Sequence, residues 1–145
     1  ISKWSVGHLK PLNAAARRSS SLVGQLTGGN ATLLERSLGT CWEIQGKDKI
    51  IFIEDVGCKG YQIDRSLDHL KEAGVFQNAK AILLGDFEAQ SGDEFVQFAL
   101  ERFANELSIP VFQTNQFGHG FHNVPIMYNA QGHIHNGRLD IDSKG

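Results

Sequence analysis

The chain of 145 residues has the length of one ordinary domain, and with 41% apolar and 21% charged residues it has the composition of a folded globular protein. Its 14 basic and 16 acidic side chains give a net charge of −2 without a basic stripe, which argues against a nucleic-acid or anionic-membrane partner. No apolar stretch approaches membrane-spanning length. Two cysteines, Cys41 and Cys58, are too few for a disulfide framework, which favours a reducing, cytoplasmic location.

The first twenty-one residues are mixed in character and end in a polar run of two arginines and three serines at 17–21. Such a run is typical of a linker. The chain opens at Ile1 with neither an initiator methionine nor a signal-peptide pattern. Residues 1–21 are therefore predicted to be a linker in a piece of a longer protein, and residues 22–145 to be the organised domain.

From residue 22 onward, apolar strands alternate with amphipathic helices. The first predicted elements are a strand over 22–27, a short helix capped by Asn30 and ended by Gly39, a strand over 49–54, and a helix carrying Ile63, Leu67 and Leu70. They are followed by a strand over 81–84, a helix over 93–107 with Phe95, Ala99 and Phe103 along one face, and a strand near 110–113. This order predicts an α/β fold with parallel crossovers, and the continuous apolar runs indicate that both faces of the sheet are covered.

After residue 119 the pattern changes to short strands with turn residues between them. Residues 129–132 are predicted to form one turn, and Asn136-Gly137 is a strong signal for a two-residue hairpin. That turn would place His135 opposite Arg138 and His133 opposite Asp140, so the tail is predicted to be antiparallel.

Polar groups emerge where the parallel strands end, which is where open α/β sheets bind ligands. Glu54 ends the apolar run 50–53, and an acid at that position is costly to bury unless a partner meets it. His119 lies between two glycines and is suited to general acid–base work. These are two parts of a hydrolase, and the third is absent, because none of the ten serines stands in a Gly-x-Ser-x-Gly elbow.

Five short motifs, in order and spacing, resemble the C-terminal domain of the LD-carboxypeptidase family over roughly residues 22–130. They are Gly28-Gly29-Asn30, Phe52-Ile53-Glu54-Asp55-Val56, Tyr61-Gln62-Ile63-Asp64-Arg65, Gly85-Asp86-Phe87, and Phe117-Gly118-His119-Gly120 with Asn123. We accordingly expect a three-layer β/β/α domain of the swivelling type, with a parallel central sheet. Residues 124–142 and part of the N-terminal strands would form an accessory antiparallel layer.

The resemblance implies a serine peptidase of peptidoglycan recycling, without metal or cofactor, which releases the terminal D-alanine of murein tetrapeptide. It implies Glu54 as the orienting acid and His119 as the general base of a Ser-Glu-His triad. The serine would come from the N-terminal domain, so the 145-residue chain alone is expected to be inactive. The resemblance implies three further residues beside this Glu54–His119 relay or toward the substrate: Asp86, Asn123 and Asp55. It also implies a homodimer.

Other interpretations stay open at this point. The family's microcin C immunity branch uses the same constellation on a peptide–nucleotide antibiotic, and the chain is also compatible with a non-catalytic binding or interface module. Glu54 could simply cap the turn that follows its strand, and Asp86 could brace the turn after Gly85. Cys41 is a weaker candidate nucleophile, because it follows a helix and leads toward a strand, the reverse of an elbow.

A metal site is also considered, because four histidines occur in the last third of the chain. They are His119, His122, His133 and His135. The predicted hairpin register places the last two beside charged residues, including an arginine, which disfavours a shared cation. No metal is therefore predicted.

Overall fold

The computed structural model describes residues 2–87, 93–118 and 123–144, and in these ranges it has eight strands and four helices. The strands are β1 (Lys3–Val6), β2 (Lys10–Pro11), β3 (Ser21–Asn30), β4 (Lys49–Glu54), β5 (Ala81–Asp86), β6 (Val111–Gly118), β7 (Gln131–His135) and β8 (Arg138–Asp142). The helices are α1 (Ala14–Arg18), α2 (Ala31–Ser37), α3 (Gly60–Glu72) and α4 (Phe95–Asn105). No helix in these ranges is both long and apolar enough to cross a membrane.

All eight strands share one hydrogen-bonded sheet in the order β1-β8-β7-β3-β4-β5-β6-β2. The central strands β3, β4, β5 and β6 are parallel, and the outer strands pair antiparallel. The predicted α/β fold with a parallel centre is confirmed. The antiparallel strands join the parallel ones through β3, which pairs with β4 on one side and with β7 on the other.

Two apolar clusters cover the two faces of the parallel strands, because successive strand side chains point to opposite faces. On one face Ile51, Ile53 and Ile82 pack against α3 and α4. On the other face Phe52 and Leu83 belong to a cluster that includes side chains of the antiparallel strands. This double coverage is the reason that β4 and β5 read as unbroken apolar runs rather than as alternating ones.

The sheet curves so that its antiparallel part lies over the face opposite α3 and α4. Leu9 directly precedes β2, which lies at one end of the strand order, yet its amide donates to the carbonyl of Gly137 at 2.9 Å. Gly137 lies in the turn between β7 and β8, near the other end of the order. The two ends of the sheet therefore approach each other. The result is a three-layer arrangement, with the parallel strands between the helices α3 and α4 and the antiparallel strands.

Residues 3–18, expected to be part of a linker, instead form β1, β2 and α1 within the fold. The buried side chain of Asn13 holds this segment in place. Its amide nitrogen donates to the carbonyls of Ala104 and Ile109, and its amide oxygen accepts from the N–H groups of Ala16 and Val111. The folded position of residues 3–18 thus depends on long-range contacts of single residues and on strands of two to four residues. Neither leaves a periodic pattern in the sequence.

Within the tail, the predicted hairpin register is confirmed, with His135 opposite Arg138 and His133 opposite Asp140. The turn predicted at 129–132 lies earlier, because β7 already begins at Gln131. In α4, Phe95 lies off the predicted apolar face and is 70% exposed.

Two adjacent glycines let β3 approach β4 very closely. Gly28 has φ +146° and lies opposite Phe52, and a Cβ atom on Gly28 would stand 1.8 Å from the Phe52 carbonyl oxygen. Gly29 also has a positive φ, +147°. Only glycine combines this backbone conformation with such an approach.

Asp55 joins the end of β4 to the start of α2. Its carboxylate accepts from the Asn30 amide at 2.9 Å, from the Thr32 hydroxyl at 2.8 Å and amide at 3.1 Å, and from the Val56 amide at 2.8 Å. Burial alone would raise the pKa of this carboxyl, but the hydrogen bonds outweigh burial and hold its pKa below the ordinary value. Asn30 also caps α2, as predicted, by accepting from the Leu33 amide.

Asp93 joins the starts of the two long helices. One oxygen of its carboxylate accepts from the amide of Gly60, the first residue of α3, at 2.7 Å. The other accepts from the amide of Phe95, the first residue of α4, at 2.9 Å. Hydrogen bonds from these two amides hold the pKa of Asp93 below its ordinary value.

Replacing Gly28 by alanine should destabilise the fold by about 3 kcal/mol or more, because the new Cβ meets the Phe52 carbonyl and the backbone conformation is strained. Gly39→Ala is the matched control, since Gly39 also has a positive φ but its Cβ would meet nothing within 4 Å. The control should lose only about 1 kcal/mol. Urea unfolding of both variants measures the difference, and equal losses would contradict the close approach of β3 and β4.

Replacing Asp55 by asparagine should lower the free energy of unfolding at pH 7 by about 2 kcal/mol, because a hydrogen-bonded carboxylate is lost. Since the folded-state pKa lies below 3.8, this stabilisation is present above that pH and is lost as the pH falls further. The difference in free energy of unfolding between the native protein and the variant should therefore disappear under acid conditions. Asp48→Asn, at an exposed position, is the control. A gap that is independent of pH would refute the role of the Asp55 charge.

Candidate functional site

The candidate site lies where the parallel strands end. Glu54 is the last residue of β4, half-buried and opposite Asn30 of β3. Asp86 is the last residue of β5 and lies opposite Gly118, the last residue of β6. The sequence therefore predicted correctly that these strand ends meet at one edge of the sheet.

His119 and His122 lie outside the described residues, and so does Gly120. Gly118, the residue directly before His119, is described: it has φ +111°, and a Cβ there would stand 3.1 Å from the Asp86 carbonyl oxygen. The position of the chain entering His119 is thus fixed beside β5. The role of His119 itself stays a prediction.

Glu54, Gly118 and Asn123 line one open cavity of about 420 Å³. Phe52 and Phe117 form an apolar part of its lining and meet edge to face, with ring centroids 6.3 Å apart. The structure thus brings together Glu54, Asn123 and the backbone that leads into His119. An acid beside apolar rings is a setting in which charge interactions are less screened than in bulk water.

Asp86 and Asp55 occupy different surroundings from Glu54. Asp86 lines a neighbouring cavity of about 500 Å³ together with His8 and Lys10. Asp55 lies on the side of β4 that faces the helices, because strand side chains alternate, and its carboxylate bonds α2. Glu54 continues the opposite face, the one that Phe52 occupies.

The residues from Val124 to Tyr128, which follow the predicted Asn123, were not predicted as part of the site, although Val124, Pro125 and Ile126 line the Glu54 cavity. The Tyr128 hydroxyl donates to the Gly28 carbonyl, and the Tyr128 ring packs against Phe52 with centroids 5.4 Å apart. Burial raises the pKa of Tyr128, so the hydroxyl stays a donor at neutral pH. Pro125 within an apolar run does hint at an extended segment outside the sheet, but nothing local indicates its contacts.

His133 and His135 stack on the hairpin with ring centroids 4.2 Å apart. His133 contacts the Ser21 hydroxyl at 2.7 Å, and His135 contacts the Asp140 carboxylate at 2.6 Å. The backbone register is the predicted one, but neither of these side-chain partners was predicted: His133 contacts a residue of β3, and His135 contacts Asp140 diagonally rather than Arg138 opposite it. Within the ranges that the structure describes, no three His, Cys, Asp or Glu side chains are placed to hold a metal ion.

The cysteines are poorly placed for nucleophilic chemistry at Glu54. Cys41 is exposed beyond the end of α2, while Glu54 lies beside Asn30 at the start of that helix, about 10 Å away along its axis. Burial, followed by the charge of Asp55, raises the pKa of the Cys58 thiol. A raised pKa keeps Cys58 protonated and unreactive at neutral pH.

Comparisons with known proteins agree with this architecture. The LD-carboxypeptidase C-terminal domain, as a sequence family, matches residues 23–134. A putative carboxypeptidase of Rickettsia conorii is 42% identical over 134 residues, which are 92% of this chain and 42% of that relative. The crystal structure of muramoyltetrapeptide carboxypeptidase from Oxalobacter formigenes matches with a TM-score of 0.79 and 30% identity, over 98% of this chain and 50% of that chain.

A mutant of the microcin C7 self immunity protein, solved in complex with adenosine monophosphate, shares the fold with a TM-score of 0.73 at 24% identity. That match covers 86% of this chain and 39% of the immunity protein. The present chain thus spans half or less of the length of each of these proteins. With its sequence match, parallel sheet and strand-end cavity, the chain belongs to the LD-carboxypeptidase family and corresponds to the C-terminal domain of its members.

Proposed function

We propose that this domain supplies Glu54 and His119 to a Ser-Glu-His triad that hydrolyses the L,D-peptide bond before the terminal D-alanine of murein tetrapeptide. The serine and its oxyanion donors would come from an N-terminal domain of the same polypeptide. The working protein would be a cytoplasmic enzyme of peptidoglycan recycling, and a homodimer.

The observation that carries this proposal is the shared cavity. Glu54 and Gly118, the residue directly before His119, line the same 420 Å³ space, which supports a role for His119 at this cavity. A general base must lie within about 3 Å of the hydroxyl that it activates, and its other ring nitrogen needs an acceptor that holds the tautomer. A half-buried carboxylate at a rigid strand end meets the second requirement, because β4 is hydrogen-bonded on both sides.

The neighbouring polar residues have separate roles in this proposal. Asn123 lies in the Glu54 cavity and faces the substrate. Asp86 and Lys10 line the adjoining cavity and would meet polar groups of a longer substrate. Asp55 acts behind Glu54, where it fixes the end of β4 against α2.

An immunity-type peptidase that acts on a peptide–nucleotide is the second candidate, and the shared fold with the microcin C7 self immunity protein favours it. The same relay would serve that reaction, so the two candidates differ in substrate and not in residues. Comparing release of D-alanine from tetrapeptide with cleavage of an aminoacyl sulfamoyl nucleoside by the full-length protein distinguishes them.

In the full-length protein, Glu54→Gln should lower kcat for D-alanine release by about 10⁴-fold, and His119→Ala by about 10⁴-fold to 10⁶-fold. The first variant leaves the imidazole without its charged acceptor, and the second removes the base. Release of D-alanine is followed by a coupled amino-acid oxidase assay. Glu72→Gln, at an exposed position of α3, is the matched control and should retain full activity.

A Glu54→Gln enzyme within tenfold of the native rate would refute the relay. Activity should also survive chelation by EDTA, while a serine-directed fluorophosphonate should abolish it. Loss of activity on chelation would point to a metal-dependent mechanism instead.

The purified 145-residue chain alone should release no measurable D-alanine, because it contains no serine in a nucleophile elbow. The expected rate is at least about 10⁴-fold below that of the full-length protein. The His119→Ala variant of the same chain, purified in the same way, is the control for contaminating peptidase. Cleavage by the chain alone, lost in its Cys41→Ala variant, would favour a cysteine nucleophile.

A further inference from the structure

The residues from Asn123 to Tyr128, here called the wall segment, have open space on both sides. Asn123, Val124, Pro125 and Ile126 line the Glu54 cavity, and the same four residues line a second, apolar groove of about 900 Å³. Val124 and Ile126 pack in part against the apolar cluster that contains Phe52, but the two open spaces leave much of the segment without packing partners. Its position therefore depends on its hydrogen bonds as well as on this partial packing.

Hydrogen bonds hold the wall segment near its start, in its middle and at its end. The Val124 amide donates to the Gln116 carbonyl of β6 at 2.7 Å, and the Tyr128 hydroxyl donates to the Gly28 carbonyl. In the middle, the indole N–H of Trp4 donates to the Pro125 carbonyl at 2.7 Å. The first two contacts lie toward the ends, and Trp4 holds the centre of the segment at Pro125, which lines the Glu54 cavity.

Trp4 is well suited to hold that point. It lies in β1 and pairs with Ile141 of β8, and its half-buried ring packs against the apolar cluster of the curved sheet. Proline has no backbone N–H, so its carbonyl is the one polar backbone group that Pro125 can offer to a partner. A rigid indole on a paired strand costs little conformational entropy when it forms this bond.

We propose that Trp4 is a positioning residue, which fixes the wall segment against the Glu54 cavity through the Pro125 carbonyl and thereby sets the affinity for the peptide substrate. This rests on the proposed function, since the wall would contact the substrate of the Glu54 site. Trp4 does not act on the reacting atoms. Glu54 ends β4, which is held by β3 and β5, and Trp4 bonds neither of these strands, so the chemical step should be independent of Trp4.

The test uses the full-length protein with Trp4→Phe, which keeps an aromatic ring on β1 and removes the N–H donor. KM for tetrapeptide should rise by about 3-fold to 10-fold, the worth of one hydrogen bond, while kcat changes less than about 2-fold and the pH profile is unchanged. Trp42→Phe is the matched control, because Trp42 is 60% exposed and follows α2, away from the wall segment. It should leave both constants unchanged.

A merely structural role for Trp4 would give a different result. Partial unfolding lowers the apparent kcat at constant KM, so that outcome, an unchanged KM, or an equal rise of KM in Trp42→Phe would each overturn the proposal. Tyr128→Phe, which removes the bond at the end of the wall segment, is the second variant. It should raise KM in the same direction, and its failure to do so would also count against a wall positioned by these bonds.

Hydrogen exchange separates this proposal from the proposed function. In Trp4→Phe the amides of residues 124–128 should exchange at least about 3-fold faster, while those of β4 and β5 should be unchanged. This measurement needs no substrate. If native enzyme fails to release D-alanine, the proposed function is wrong, and exchange alone decides the role of Trp4. Unchanged exchange in residues 124–128 would overturn it.

Discussion

The close approach of β3 to β4 is the constraint on which the rest of the molecule depends. At Gly28 the two strands leave no room for a side chain, because the Phe52 carbonyl occupies that space. Beyond this point the register brings Asn30 opposite Glu54, and the same strand pairs with β7 at its other end. One strand therefore positions the site acid, caps α2 and joins the parallel and antiparallel halves.

Alternation along β4 divides two neighbouring carboxylates between two tasks. Phe52 and Glu54 share the face that opens to the cavity, while Ile53 and Asp55 share the face that packs on the helices. Asp55 has its charge satisfied by hydrogen bonds from α2 and the following turn. Glu54 therefore need not stabilise the end of β4, which is compatible with the catalytic role proposed for it.

Much of this architecture follows from local pattern. Apolar runs, helix spacing and the Asn136-Gly137 turn predicted the parallel strands, the helices and the hairpin register, because each depends on neighbouring residues. Residues 3–18 and, apart from Asn123, the wall segment were missed for the opposite reason. Their places depend in part on Asn13 and Trp4, single side chains whose partners lie roughly ninety to one hundred and twenty positions away, and no periodicity reports such contacts.

Asp93 makes the beginnings of α3 and α4 a single unit. Since one carboxylate accepts hydrogen bonds from the amides of both Gly60 and Phe95, a substitution of Asp93 affects both helices at once. Each helix would need its own new cap, and a substitution that repaired one would leave the other unrepaired. Mutations around the two helix starts should therefore show epistasis, and in evolution these distant segments should vary together.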